Sequence, residues 1–164
     1  MIILGIDPGL AKTGCGVVTM RANQPKVLTY GVISTKTDQS LANRLKIIYN
    51  DIRNLCREYK PSVAAIESIF FAANVKTAVA VAQARGVAIL ATEESGMELA
   101  EYSPLQIKQA IVGYGRASKN QIQEMVRILL SLDKTPRPDH AADALAVALT
   151  HAFRMKLRGG YRAS

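Results

Sequence analysis

The sequence predicts a mixed α/β protein with a five-stranded sheet, three antiparallel strands followed by parallel ones, flanked by helices. Three observations predict this class. Residues 1–35 contain three stretches of strand character joined by short connections, which favours an antiparallel meander. From Ser40 onward apolar residues recur at helical spacing, interrupted by short apolar runs that suit buried strands. After residue 103 the chain shows helical periodicity with capping residues.

The first predicted strand ends in a carboxylate. Five of residues 1–6 (MIILGI) are apolar, without polar alternation, which is typical of a strand covered on both faces, and Asp7 follows where it ends. An ionised carboxylate at the end of a buried strand is costly unless a cation lies against it. The Pro-Gly pair at 8–9 favours a chain reversal, so we expect a second strand over residues 14–20.

The remaining strands and helices are predicted from changes in the spacing of apolar residues along the chain. A third strand is predicted for residues 26–35, after a turn at 23–25. Ser40 suits the N-cap of a helix that ends before Pro61. The run SVAAIE then predicts a strand parallel to the first, because a helical crossover connects them. The other predicted elements are a helix over 72–95, a strand over 98–102, helices from Ser103 to about Val112 and from Ser118, and a last helix from Asp139 to about Met155. This order is typical of ribonuclease H-like folds, in which we expect sites at the carboxyl ends of central strands.

The composition indicates one globular domain with a basic surface. Of 164 residues, 49% are hydrophobic, and 21 Lys and Arg against 13 Asp and Glu leave a formal charge of +8. That charge favours nucleic acid as partner, although a merely basic soluble protein would fit it equally well. We expect residues 1–155 to form the domain and 156–164 a basic, mobile tail. Neither a membrane span nor a signal peptide is predicted, which favours a cytoplasmic protein with Cys15 and Cys56 reduced in the core.

Three predicted elements bring acidic residues to one edge of the sheet. Glu67 closes the fourth strand as Asp7 closes the first, and the last helix places His140 and Asp143 three residues apart on one face. Asp139 lies four residues before Asp143 and is a further candidate for this group. Converging carboxylates repel one another unless a hard divalent cation holds them, and a pair of Mg²⁺ ions, or Mn²⁺ in their place, would serve phosphodiester hydrolysis. The spacing leaves open whether His140 binds metal or acts as a general base.

Five motifs, in order along nearly the whole chain, resemble the RuvC family of bacterial Holliday-junction resolvases. They are GIDPG at 5–9, AIE ending at Glu67 and followed by Phe70, QARGVA at 83–88, KQAIVGYGRASK at 108–119 and HAADALAVALTH at 140–151. The resemblance implies a homodimeric, Mg²⁺-dependent endonuclease that makes paired nicks in strands of like polarity across a four-way DNA junction. It also implies a role in recombination and repair together with the RuvA and RuvB branch-migration proteins.

The resemblance assigns four residues to the metal site. By position, Asp7, Glu67 and Asp143 resemble the family's metal-binding carboxylates. His140 falls where relatives have either Asp or His, so the fourth ligand here would be an imidazole. Any one acid at a strand end is more simply explained as solvated or helix-capping, but three elements that deliver acids to one edge favour a metal site.

Five residues are candidates for DNA contact. Phe70 is similar to an aromatic residue that the family uses against junction bases, and its ring could stack on an unpaired base. Lys108 and Lys119 match basic residues near the family's active site. Arg116 and Lys119 bracket a turn before a helix, which suits a phosphate contact, and Lys76 is a further candidate. Any single lysine is as readily a solvated surface charge.

The helix over residues 72–95 is the expected dimer interface. Its small residues, Ala78, Ala82, Ala84 and Gly86, would let two backbones approach closely. A four-way junction has approximate two-fold symmetry, and a symmetric dimer would present two equivalent sites to it.

Other functions fit the sequence less well. Lys12-Thr13 is reminiscent of a phosphate-binding loop, but Ala11 stands where that motif requires glycine. Sugar kinases and actin-like ATPases open with a similar hairpin but need two such domains. A ribonuclease H-like nuclease with another substrate, or a junction-binding protein without catalysis, remains an alternative, although the retained acids argue against the second.

Overall fold

The computed structural model describes residues 1–22, 24–68 and 75–160, with side chains up to 156 except at 75 and 76. In these ranges the elements are, in order, β1 (Ile2–Asp7), β2 (Lys12–Arg21), β3 (Gln24–Ser34), α1 (Leu41–Tyr59), β4 (Val63–Glu67), α2 (Val75–Glu93), β5 (Glu98–Tyr102), α3 (Pro104–Val112), α4 (Lys119–Leu129) and α5 (Asp139–Gly160). Among the described residues, none of these helices is long and apolar enough to cross a membrane.

The sheet confirms the predicted mixed topology. Its strand order is β3-β2-β1-β4-β5, with β1 at the centre. Strands β1, β2 and β3 form the antiparallel meander, and β4 runs parallel to both β1 and β5. Four of the six β1 residues are buried, as expected for an apolar strand covered on both faces.

The hairpin between β2 and β3 is longer than predicted. Strand β2 begins at Lys12 rather than at residue 14, and the predicted turn at 23–25 is wrong for Gln24 and Pro25, which belong to β3. Pro25 pairs with Met20. A proline is tolerated there because β3 lies at the edge of the sheet, where a strand needs backbone donors on one side only.

Serine caps begin three of the helices, as predicted. The Ser40 hydroxyl accepts a hydrogen bond from the Asn43 amide at the start of α1. Ser103 and Ser118 each form a capping box with a glutamine three residues later. Helix α5 continues to Gly160, so the predicted end near Met155 is wrong and residues 156–160 of the expected tail are helical. The predicted start of α2 at residue 72 lies outside the described residues.

Helices cover both faces of the sheet. Helix α5, with α3 and α4, packs on one face through a core that includes Val18, Val126 and Leu145. Helices α1 and α2 pack on the other around Leu4 and Ile48. Both cysteines are free and buried in this second core, as predicted, and burial raises the pKa of the Cys15 thiol to about 12.

Helix α2 presents small residues to the core and a line of apolar residues to solvent. Ala84 is fully buried, so its predicted place on an exposed interface is wrong. The exposed line, here called the outer stripe, consists of Val79, Ala82, Gly86 and Leu90. Val79 and Leu90 leave 51% and 52% of their surface exposed. The outer stripe therefore presents apolar surface on the side of α2 that faces away from the core.

Candidate metal centre

The carboxyl ends of the two central parallel strands supply the first two acidic residues. Ile6 of β1 pairs with Ile66 of β4, so the next residue of each strand, Asp7 and Glu67, leaves the sheet at the same edge. Both are only partly exposed. The predicted convergence of these strand ends is therefore confirmed by the register of the sheet.

Glycines in the strands let helix α5 lie directly on the backbone of the sheet. A Cβ atom at Gly14 would lie 1.9 Å from the His140 carbonyl oxygen, and one at Gly5 would lie 2.0 Å from the Ala144 carbonyl oxygen. Both distances are far below contact, so these two positions accept no side chain unless the helix moves. Gly14 pairs with Asp7 across β1 and β2, which places the first turn of α5 beside that carboxylate.

The first turn of α5 completes a group of three possible ligands. His140 Nδ1 lies 2.7 Å from Asp7 Oδ2. One donor atom from each of Asp7, His140 and Asp143 can be chosen so that all three lie within 4.8 Å of one another. An oxygen-rich set with one imidazole suits Mg²⁺ or Mn²⁺, and a divalent ion would offset the repulsion between the carboxylates.

Glu67 lies beside this group rather than within it. It lines a pocket of about 220 Å³ together with Asp143 and two lysines, Lys108 and Lys119. Burial raises the pKa of Glu67 to about 7, and the charges of Asp7 and Asp143 act in the same direction, against the two lysines. Asp143 belongs both to the three-residue group and to the lining of this pocket, so it links Glu67 to Asp7 and His140.

The carboxylate of Asp7 is also destabilised in its charged form. Burial raises its pKa, and the Asp143 charge adds to that, although the hydrogen bond from His140 lowers it. A bound divalent cation would stabilise the charged carboxylates of Asp7 and Glu67 and so release any proton that they hold into solvent.

Lys119 forms the main cationic contact with these acids. Its Nζ lies 3.1 Å from Asp143 Oδ2 and 3.5 Å from Asp139 Oδ2. Burial lowers the pKa of Lys119, but the hydrogen bonds and charges of the two aspartates outweigh this and raise it overall. Local sequence patterns do not predict this pairing, because its partners are about twenty residues apart and belong to different helices.

The other predicted DNA contacts have different outcomes. Lys108 and Lys119 both line the pocket beside Glu67. Arg116 is exposed in the turn between α3 and α4, and no contact places it in that pocket. Phe70 lies outside the described residues, as does the side chain of Lys76 in α2.

The fold and the site together define a class of protein. A five-stranded sheet of this order, with carboxylates at the ends of its two central strands and on the last helix, is that of a ribonuclease H-like nuclease. A family model described as "Crossover junction endodeoxyribonuclease RuvC" matches residues 3–151. The chain belongs to the RuvC family.

Individual relatives agree with this assignment. The crossover junction endodeoxyribonuclease RuvC of Alkaliphilus oremlandii (strain OhILAs) is 54% identical over 152 residues, which are 93% of each chain. RuvC of Thermus thermophilus is 36% identical, and its structure matches with a TM-score of 0.90 over 96% of this chain and 97% of that one. The structure of the same T. thermophilus protein in complex with a Holliday junction substrate gives a TM-score of 0.91 over 96% of each chain.

Proposed function

We propose that this crossover junction endodeoxyribonuclease resolves Holliday junctions by paired, metal-dependent nicks in strands of like polarity, in recombination and repair. The observation that carries the proposal is the group of Asp7, His140 and Asp143, with Glu67 beside it, at the carboxyl edge of the sheet. We further propose that residues 1–155 act as one nuclease domain and that the protein works in the cytoplasm.

The proposed ligands are Asp7, Glu67, His140 and Asp143, for two Mg²⁺ ions that Mn²⁺ can replace. When bound, such ions activate water and stabilise the charge of the phosphate that is being cleaved. Asp7 accepts the hydrogen bond from His140 and so orients the imidazole ring. That ring is 43% exposed, which also leaves room for the second role, a general base on the attacking water.

The proposed DNA contacts lie around the acidic group. Lys108 and Lys119 line the pocket beside Glu67, and their positive charges would attract a phosphate bound next to the ions. Arg116, exposed in the turn before α4, would hold the backbone further along a junction arm. We retain Phe70 as the residue that stacks on a junction base and Lys76 as a phosphate contact.

We also propose that two copies of the chain act together. The outer stripe supports this, because Val79 and Leu90 are half exposed on a helix whose Ala82 and Gly86 would let a second helix approach closely. A two-fold dimer would present two metal centres to the two equivalent strands of a junction. The RuvA and RuvB proteins are proposed as partners on the strength of family membership.

The test is cleavage of a labelled synthetic four-way junction in Mg²⁺ or Mn²⁺ by wild type and Asp7→Asn. We expect symmetric nicking by the wild type and undiminished junction binding without cleavage by the variant. Asp51→Asn, which makes the same change at an exposed site on α1, should cleave like the wild type. Equal cleavage by wild type and Asp7→Asn would remove Asp7 from the mechanism.

A further inference from the structure

Asp139 contacts the ammonium group of Lys119 but does not belong to the group of possible metal ligands. It lies one helical turn before Asp143 at the start of α5, and its Oδ2 is 3.5 Å from Lys119 Nζ. Among the described residues, the group of donors close enough to share an ion contains Asp7, His140 and Asp143 but not Asp139. Asp139 therefore contacts Lys119 without supplying one of these donors.

The two oxygens of Asp139 have separate partners. Oδ1 accepts a hydrogen bond from the Arg137 guanidinium, and Oδ2 faces Lys119. Gln123 of α4 is buried, and its amide lowers the pKa of Asp139, which the charges of Lys119 and Arg137 lower further. Because Asp139 contacts Arg137 as well as Lys119, its position does not depend on Lys119 alone.

A metal ion at Asp143 would compete with Lys119 for the same carboxylate. The lysine ammonium lies 3.1 Å from Asp143 Oδ2, on a carboxylate that supplies one of the three donors available to an ion. A divalent cation there would repel the ammonium at a range where unit charges interact strongly even at a protein surface. Asp139 is the other carboxylate in contact with Lys119, and it is not needed by the ion.

We propose that Asp139 is a positioning residue that keeps Lys119 beside the reacting phosphate once ions occupy the site. This inference rests on the proposed nuclease function. Held by Asp139, the Lys119 ammonium can donate to a phosphate oxygen on which charge increases in the transition state. Without Asp139, the lysine would be driven from Asp143 by the ions and would be free to move into solvent, since 52% of its side chain is already exposed.

The first test compares cleavage rates of Asp139→Asn and Asp139→Glu under single-turnover conditions with excess enzyme. We expect Asp139→Asn to slow cleavage on the order of 10- to 100-fold, the usual cost of losing a group that orients an active-site residue. Removal of a negative charge favours DNA binding, so junction affinity should not fall, and weaker binding cannot explain the slower rate. Asp139→Glu keeps the charge and should recover most of the rate. Asp133→Asn, the same change at an exposed acid in the α4–α5 connection, is the matched control and should cleave like the wild type.

A double-mutant cycle tests whether Asp139 acts through Lys119. Lys119→Ala should reduce the rate roughly 10²- to 10³-fold, as loss of one donor to a transition state does. Adding Asp139→Asn to Lys119→Ala should change the rate no further. A full additional loss in the double variant, a wild-type rate in Asp139→Asn, or a loss in Asp139→Glu as large as in Asp139→Asn would each overturn the proposal.

Metal binding separates a positioning residue from a ligand. Titration with Mn²⁺ alone should show wild-type affinity in Asp139→Asn and reduced affinity in Asp143→Asn. Equal loss in both variants would make Asp139 a ligand and overturn the inference. If the wild type itself fails to nick the junction, the proposed function fails; the Mn²⁺ titration still reports whether Asp139 is a ligand.

Discussion

The two faces of the sheet are covered by helices in different ways. On one face, α5 touches the strand backbones directly, because Gly5 and Gly14 have no side chain to separate them. On the other, α2 turns Ala84 and Ala88 toward the core and leaves Val79 and Leu90 exposed. The close packing of α5 determines where His140 and Asp143 lie relative to Asp7. The packing of α2 leaves apolar side chains in solvent, where we propose that a second copy binds. We therefore expect substitutions beneath α5 to lower the cleavage rate and substitutions on the exposed side of α2 to weaken the association of two copies.

The largest expected effect is the loss of dimer formation and of junction affinity on substitution in the outer stripe. Leu90→Glu places a charge in the proposed contact between two copies, so we expect monomers at micromolar concentration by sedimentation. A dimer gains affinity for a junction by binding it at two places, and loss of the second contact should weaken binding by roughly 10²- to 10⁴-fold. Leu28→Glu, at a 40% exposed leucine on edge strand β3, is the matched control and should remain dimeric. A wild type that is monomeric with and without junction DNA would end the proposal.

The second largest expected effect is a slower cleavage rate when Gly14, beneath α5, acquires a side chain. In Gly14→Ala the new Cβ would collide with the His140 carbonyl, so α5 must shift away from Asp7. A displacement of about 1 Å at a catalytic group can cost about 10²-fold in rate, and overpacking costs about 1–3 kcal/mol of stability. Cleavage kinetics and denaturant unfolding would measure both.

Gly31→Ala, in strand β3, supplies the control for that substitution. A Cβ at Gly31 would meet nothing within 4 Å, so alanine should raise the free energy of unfolding by about 0.5–1 kcal/mol because it restricts the unfolded chain. Equal destabilisation by Gly14→Ala and Gly31→Ala would contradict the close contact between β2 and α5.

The smallest expected effect is on the free energy of unfolding of the metal-free protein, which the buried carboxylate of Glu67 lowers at high pH. The pKa of Glu67 is raised from 4.5 to about 7 in the folded protein, so the folded state favours the proton more than the unfolded state does. The stability that this provides is complete below pH 4.5 and is lost as the pH rises through about 7. Above that, Glu67→Gln should stabilise the metal-free protein by on the order of 1–2 kcal/mol after allowance for its partial exposure to water.

Urea unfolding at pH 5 and pH 8 in the presence of a chelator would measure this. The extra stability of Glu67→Gln over the wild type should be present at pH 8 and small at pH 5. Saturating Mg²⁺ should stabilise the wild type more than the variant, because one ligand is missing there. A variant that is less stable than the wild type at pH 8 without metal would contradict the expectation.

Much of the sheet and half of the site follow from local sequence. The apolar runs before Asp7 and Glu67 predict two buried strands, and a helical crossover makes them parallel, so their ends meet. The caps at Ser40, Ser103 and Ser118 follow from short-range hydrogen bonding, which a sequence displays directly. These features depend on neighbours within a few residues, or on one crossover rule.

The rest depends on contacts between distant elements. Glycines within strands are a signal of close backbone approach, but Gly14 does not reveal which element approaches it, and His140 is 126 positions away. The buried side of α2 could not be read from its small residues, because alanines suit both a core and an interface, and Ala84 was assigned to the wrong one. The pairing of Lys119 with Asp139 likewise arises only when α4 and α5 meet.

The burial of both cysteines makes the protein well suited to site-specific labelling. Cys15 and Cys56 are the only thiols in the chain, and both are enclosed and hard to ionise. A thiol-reactive spin label or dye added to intact protein should therefore attach to an introduced surface cysteine and leave the natural ones untouched. In the proposed dimer, one such label on each copy would give the distance between the two copies, and its change on binding a branched DNA, without first building a cysteine-free background.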